Sequence, residues 1–423
     1  MRILALIPYV PNPPHGGGEQ RLHNVLAALC DAGEVTVVGL ARAGDVVEAW
    51  PLADRFATPP SIVRRDADGD PDDQTDPLKR LFPPPPSRWP RRARADCHRA
   101  LWEALGRLDL DRFDVVHVES LGMVPYGVAL KAKAPRLRLQ LDLDNIDAVY
   151  AWGAFRAGRV PWLSRQAYWQ FRNVAGLFRF TRRWLGAFDA VWVCSEADRR
   201  WALRWTGQGV VHVVPNGMDC AKFAGVVPHA DGPRLTMAGT MMEGPNSDGA
   251  VWFADRVLPA VRRAVLDAEF WCVGREPCPE VAALAGRCAG VTVTGSVAEV
   301  GPYLAGSAVA VAPIRFGTGT RLKILEAMAA GLPVVSTRVG AAGLDFAAGR
   351  DLVLADRPAE FAAACVRLLL DGGARAAIGA AGRAAVQKYD WAAIHARIGE
   401  LTRRCRAGDA RDLPAAGDAP WAP

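Results

Sequence analysis

Apolar residues recur along this chain in two rhythms, short continuous runs and stripes at i, i+3, i+4 and i+7, and their alternation predicts parallel sheets crossed by helices. The first run, Arg2 to Ile7, reads as a buried strand. Leu22, Val25, Leu26 and Leu29 then mark a helix that ends at Gly33, and Val35 to Val38 the next strand, which completes a β-α-β unit. A helix near Asp96 to Leu108 and strands at Asp114 to Val118, Leu137 to Asp142, Ala190 to Cys194 and Val210 to Val214 continue the series. A second series follows Pro215 to Asp219. It holds a strand at Arg234 to Ala238, a helix at Ala250 to Val265, strands at Glu269 to Val273 and Val291 to Val293, an apolar strand within Ala308 to Pro313, and a strand at Asp351 to Leu354. The expected fold class is α/β, with two doubly wound, Rossmann-like parallel-sheet domains of comparable size, residues 1–212 and 213–389. The last helix, Ala380 to Arg404, is expected to cross back onto the first domain over residues 390–405, and residues 406–423 to form a disordered tail.

The densest chemistry lies in Phe316 to Ser336. Gly317, Thr318 and Gly319 form a loop whose backbone can approach a ligand, Thr320 is placed to N-cap a helix running from Arg321 to Ala330, and Gly331 and Pro333 end it. A glycine loop entering a helix presents free N–H groups and partial positive charge, a geometry that holds phosphate. Arg321 and Lys323 occupy the first turn, where cations oppose the helix dipole by about 0.3–1 kcal/mol each, so an anion is expected to compensate them. Glu326 lies one turn further, poised at the edge of a small-residue surface; an ordinary i,i+3 pair with Lys323 is the alternative. Near the N-terminus, Gly16, Gly17 and Gly18 could likewise hold an anion, or be a flexible turn.

Composition narrows the class. Half of the 423 residues are hydrophobic, enough for two or three domains, and the net charge of +6 is too mild and diffuse to argue for nucleic acid. No apolar run approaches a membrane span, and the run from Ile3 to Ile7 is too short for a signal-peptide core, so a cytoplasmic location is expected. The nine cysteines form no CxxC or zinc spacing. Residues 64–94, with an acidic stretch, four prolines in series and a basic cluster, read as a loop or lid. Residues 152–205 interleave tryptophans with arginines and read either as a face lying on an anionic membrane or as an amphipathic helix packed on the sheet. Dinucleotide binding is disfavoured because Arg21 stands where the third glycine of G-x-G-x-x-G would be, and no Gly-Lys pair supports a P-loop.

These pieces resemble the GT-B-fold glycosyltransferases of family 4, also called group 1, over nearly the whole chain. The resemblance rests on Pro-Pro-His-Gly-Gly-Gly-Glu at the N-terminus, Val-Val-Pro215-Asn216-Gly217-Met-Asp219, Ala238-Gly239-Thr240, and the specific Lys323-Ile-Leu-Glu326-Ala-Met-Ala-Ala-Gly331-Leu-Pro333-Val-Val-Ser336-Thr337. It implies transfer of a sugar from a nucleotide-diphosphate donor, UDP- or GDP-linked, to a glycan or lipid-linked acceptor, as in bacterial exopolysaccharide or envelope-glycan enzymes. The family implies retention, no metal and no cofactor beyond the donor. On the donor side it implies Glu326 on the ribose and Gly317, Thr318, Gly319, Thr320, Gly239, Thr240 and Asn246 around the donor. Arg321 and Lys323 then stabilise the leaving diphosphate, because the Arg and Lys common after the second domain's first strand are missing. His117 and Glu119 are candidate acceptor or base groups. The family's first Glu is replaced by Thr318, which leaves the sugar open.

Three rival readings stay in view. Asp142-Leu-Asp144 could hold a divalent ion in a metal-dependent transferase. The chain could be a non-catalytic nucleotide-sugar-binding subunit of a polysaccharide assembly, or a nucleotide-sugar epimerase on the same fold.

Overall fold

The computed structural model describes the chain except for residues 15–16, 43, 65–97, 157–164, 205–209, 243, 318–319 and 410–423. The chain divides into two compact units. Unit 1 comprises Met1 to Asn216 together with the chain from Ala392 onward, and unit 2 runs from Gly217 to Trp391.

Unit 1 is built on seven parallel strands: β1 (Arg2–Ile7), β2 (Glu34–Ala41), β3 (Ser61–Arg64), β4 (Val115–Glu119), β5 (Arg138–Leu143), β6 (Ala190–Val193) and β7 (Val211–Val213). Their order is β3-β2-β1-β4-β5-β6-β7. The direction of winding reverses between β1 and β4, so the loops leaving the carboxyl ends of these two strands diverge and open a crevice. Strands β1, β4, β5 and β6 are buried almost throughout, as expected of parallel strands covered on both faces. The helix Trp391–Ala407 buries Ile394, Ile398, Leu401 and Cys405, and Arg397 Nε donates to the Val213 carbonyl of β7 at 3.0 Å.

Unit 2 repeats the plan with β8 (Arg234–Ala238), β9 (Glu269–Val273), β10 (Val291–Gly295), β11 (Val309–Ala312), β12 (Val334–Ser336) and β13 (Val353–Leu354), in the order β10-β9-β8-β11-β12-β13. Its reversal falls between β8 and β11.

Several elements depart from expectation. The four-residue edge strand β3 carries no apolar run and was not foreseen. The helix anticipated at Ala250 to Val265 starts earlier, at Gly244, and contains a π turn at Phe253–Val257 before continuing as Leu258–Ala264. Pro259 explains the irregularity, since it lacks the N–H that would bond one turn back. The expected continuous helix Ala380 to Arg404 is two helices, Gly372–Ala385 and Trp391–Ala407. Between them Asp390 is extended and bridges Met218, its carboxylate accepting the Cys220 N–H at 3.1 Å while Trp391 N–H donates to the Met218 carbonyl. The expected disordered tail is helical as far as Ala407, and most of it and of the 64–94 lid lies outside the described residues.

Candidate functional site

In unit 2 the reversal point gathers the donor candidates. Strand β8 ends in Gly239, whose φ of +142° suits glycine alone, and an added Cβ there would stand 2.9 Å from Lys323 Nζ and 3.1 Å from Asn246 Nδ2. Gly274, at the end of β9, lies closer still: its Cβ would fall 1.8 Å from the Gly239 carbonyl oxygen. Two glycines thus let the ends of β8 and β9 fold onto each other. Asn246, buried at the start of helix Gly244–Trp252, donates from Nδ2 to the Thr240 carbonyl at 2.9 Å and accepts from Lys323 Nζ on Oδ1. Gly239, Thr240, Asn246 and Lys323 therefore meet at one place.

Across the reversal point, β11 leads into Arg315, Phe316 and Gly317. Arg315 is fixed by a two-pronged pair with Asp248, Nε and Nη2 donating at 2.8 and 2.6 Å. Gly317 has φ +108°, and its missing side chain makes room for Arg321, whose Nη2 would lie 2.6 Å from a Cβ. Thr318 and Gly319 fall outside the described residues. The helix itself corrects one expectation. It spans Leu322–Ala329, with Arg321 and not Thr320 at the N-cap and no side-chain cap bond; Thr320 is buried just ahead of it. Glu326 is half-buried; burial raises its carboxyl pKa above the ordinary value, with Lys323 and Lys222 pulling it back down.

Arg275 escaped the sequence reading. It follows Gly274, is half-buried, and its Nε donates to Thr240 Oγ1 at 3.4 Å. The next residue, Glu276, adopts φ +54°, a left-handed conformation costly for a side-chain-bearing residue. A basic residue directly after a glycine at the end of a buried strand was the available signal.

In unit 1, Gly17 and Gly18 open the helix Gly17–Ala32 instead of lying in a loop, and Gly16 is outside the described residues. A Cβ on Gly18 would be 3.0 Å from the Tyr9 hydroxyl and 3.4 Å from Asp144 Oδ2, so this helix start packs against a phenol and a carboxylate. Tyr9 is itself held by Arg42, whose guanidinium carbon lies 4.2 Å from the ring centre and which pairs with Glu19 and Asp45.

His117 and Glu119 sit side by side on β4, both buried. His117 Nδ1 meets the Gln140 amide at 3.1 Å, and Nε2 lies 3.5 Å from Glu119 Oε2. Burial lowers the His117 pKa to about 4, against the pull of Asp142 and with help from Arg21, so the imidazole is neutral at physiological pH. The Glu119 carboxyl is pushed well up by burial and by the nearby Asp142 and Asp144, and Arg21 opposes this.

Asp142, the first acid of the D-x-D sequence, is held by Arg21. Both side chains are fully buried, with Nη2 2.6 Å from Oδ1 and Nε 3.0 Å from Oδ2, and Arg21 Nη1 also donates to the Val214 carbonyl and Asn216 Oδ1. Arg21, which stands where the third glycine of a dinucleotide loop would be, is thus an internal brace. His117, Glu119 and Asp142 bring potential ligand atoms within 4.8 Å of one another. A divalent ion there would lie beside the Arg21 guanidinium and compete for carboxylate lone pairs already engaged, so these residues fit a metal poorly.

Comparison with known proteins agrees with this architecture. Residues 15–222 match the family model described as Glycosyltransferase Family 4, and residues 232–371 the model described as Glycosyl transferases group 1. The phosphatidyl-myo-inositol mannosyltransferase of Mycolicibacterium smegmatis is 34% identical over 215 residues, covering 48% of this chain and 54% of that protein. The enzyme of the same name from Mycobacterium leprae is 29% identical over 212 residues, covering 48% and 56%. The chain therefore spans about half the length of the curated relatives it matches. Among solved structures, sucrose-phosphate synthase from Thermosynechococcus elongatus superposes with a TM-score of 0.66 at 18% identity, covering 96% of this chain and 99% of that one. Anabaena HepE in complex with UDP and glucose gives 0.61 at 17% identity, covering 95% and 99%. Such likenesses carry the GT-B fold. With one family model over each of its two units, the chain belongs to the family 4, group 1 glycosyltransferases.

Proposed function

We propose that this protein transfers a sugar, with retention and without a metal, from a UDP- or GDP-sugar bound on unit 2 to a glycan or lipid-linked acceptor. The observation that carries the reading is the meeting of Gly239, Thr240, Asn246 and Lys323 at the reversal point of the second sheet, beside the start of the helix Leu322–Ala329, the end of a helix that favours an anion. Gly317, Thr318, Gly319 and Thr320 would line the diphosphate, Arg321 and Lys323 neutralise the charge that grows on it, and Glu326 accept both ribose hydroxyls. On unit 1, the His117–Glu119 pair would serve the acceptor hydroxyl, and the helix start at Gly17 and Gly18 would complete the acceptor side. The names of the mycobacterial relatives support a lipid headgroup as acceptor, and the UDP and glucose in Anabaena HepE support a nucleoside-diphosphate sugar as donor. Such an enzyme works on the cytoplasmic side, with peripheral membrane contact through residues 152–205. Among the described residues no helix is long and apolar enough to cross a membrane.

The test is a thermal-shift screen of UDP, GDP, ADP and their sugars. One nucleoside diphosphate should raise Tm in proportion to the logarithm of its concentration above Kd, and a flat response to all would end the reading. The response should also depend on pH. Since binding uses the ionised Glu326 and its pKa is raised, affinity should weaken on acidification from a higher pH than an ordinary carboxylate would give, and Glu326→Gln should flatten that dependence. Transfer should persist in excess EDTA, with loss and recovery on adding Mg²⁺ or Mn²⁺ as the opposing result.

A further inference from the structure

The helix Arg165–Trp184 contains no Asp or Glu in twenty residues. Its inner face, formed by Val174, Leu177, Phe180, Thr181 and Trp184, is buried in unit 1. At 100° per residue, Tyr168, Phe171, Arg172, Arg179, Arg182 and Arg183 fall on the opposite face within an arc of about 120°, with Trp169 at its edge. All seven are exposed; Tyr168, Trp169 and Phe171 show 57%, 58% and 53% of their surface. Arg172 ties the aromatic end together, its guanidinium 5.1 Å from the Trp169 ring centre and 5.7 Å from that of Tyr168.

We infer that this face docks on the anionic headgroup surface of a lipid bilayer. Three large aromatic rings within four residues form an apolar tip, and the arginines run back from it along a helix that has no acid of its own, with no ion pair to them among the described residues. Tyrosine and tryptophan favour the headgroup level, where one edge is wet and the other apolar, and arginines there are drawn to negative lipid. The charge also argues against a second copy as the occupant, because two such faces repel. A single outer helix face is convex, a shape that lies on a bilayer and encloses no small ligand. The inference rests on the transfer reading only in that a lipid-linked acceptor is met at such a surface.

Co-sedimentation of the full chain with phosphatidylcholine vesicles, with and without about one-third phosphatidylglycerol, tests it. Binding should require the anionic lipid and weaken as salt rises. Arg172→Gln with Arg179→Gln and Arg183→Gln should lower the partition coefficient about a hundredfold, about fivefold for each charge. Tyr168→Ser with Trp169→Ser and Phe171→Ser should lower it about tenfold. No binding to anionic vesicles, or binding that both triple variants retain, overturns the inference. So does a dimer, seen by sedimentation velocity, that these substitutions dissolve while vesicle binding stays absent. The nucleotide thermal shift, measured without lipid on the same variants, checks that the fold is kept and reads the donor site separately. Vesicle binding without any nucleotide shift would sink the transfer reading alone, and the converse would sink this inference alone.

Discussion

Arg321→Ala combined with Lys323→Ala is expected to lower kcat/KM about a thousandfold or more while leaving the fold intact. Both side chains are half-buried, Arg321 at the N-cap and Lys323 in the first turn of a helix whose dipole they oppose, so removing them relieves about 0.3–1 kcal/mol each. What they supply is charge at the place where a departing diphosphate would develop it, and the loss of one such group costs about a hundredfold to a thousandfold. The pair should not be additive, because each would partly cover for the other on the same phosphates. Single-turnover rates with the best donor from the thermal screen, beside Tm, give the measurement. An unchanged kcat/KM would remove both residues from the mechanism. Arg275→Ala belongs in the same series, since its guanidinium reaches Thr240 from the neighbouring strand end.

The largest effect on stability is expected at Arg21. Arg21→Met leaves the Asp142 carboxylate buried without its counter-charge, and unit 1 should lose about 3–5 kcal/mol, read as an earlier urea midpoint. Adding Asp142→Leu should recover most of the loss, since an apolar pair of similar volume can replace a buried ion pair at little cost. If Arg21→Met alone left the midpoint in place, the ion pair would not be what holds β5 to the first helix.

The outline of the fold could be read from the chain because both sheets are parallel and covered. Arg234–Ala238 and Glu269–Val273, mostly apolar and buried, are strands with the bounds the pattern gave them. The edge strand β3 was hidden because only its pairing with β2 makes it a strand. The helix end at Asp390 depends on a bridge to Met218, far back in the sequence, and no local signal could announce it. The same physics divides the candidate site. Gly317, Lys323 and Glu326 stand within ten residues of one another, whereas Arg21 and Asp142 are separated by 121 positions and the contact of Arg275 with Thr240 by 35. A local pattern can suggest that a glycine loop precedes a helix, but it cannot say which arginine will find which carboxylate.

The division of the chain also has a consequence for biosynthesis. Unit 2 is one uninterrupted segment, Gly217 to Trp391, whereas unit 1 is completed only by the helix that starts at Trp391 and contributes Ile394, Ile398, Leu401 and Cys405. On the ribosome, all seven strands of the first sheet emerge before the second unit is made, yet the seat of that last helix stays bare until the second unit has left the tunnel. The first unit to be translated is therefore the last to be finished, and a chain stalled or cut before residue 392 would carry a complete second domain beside a first one with part of its core open to water.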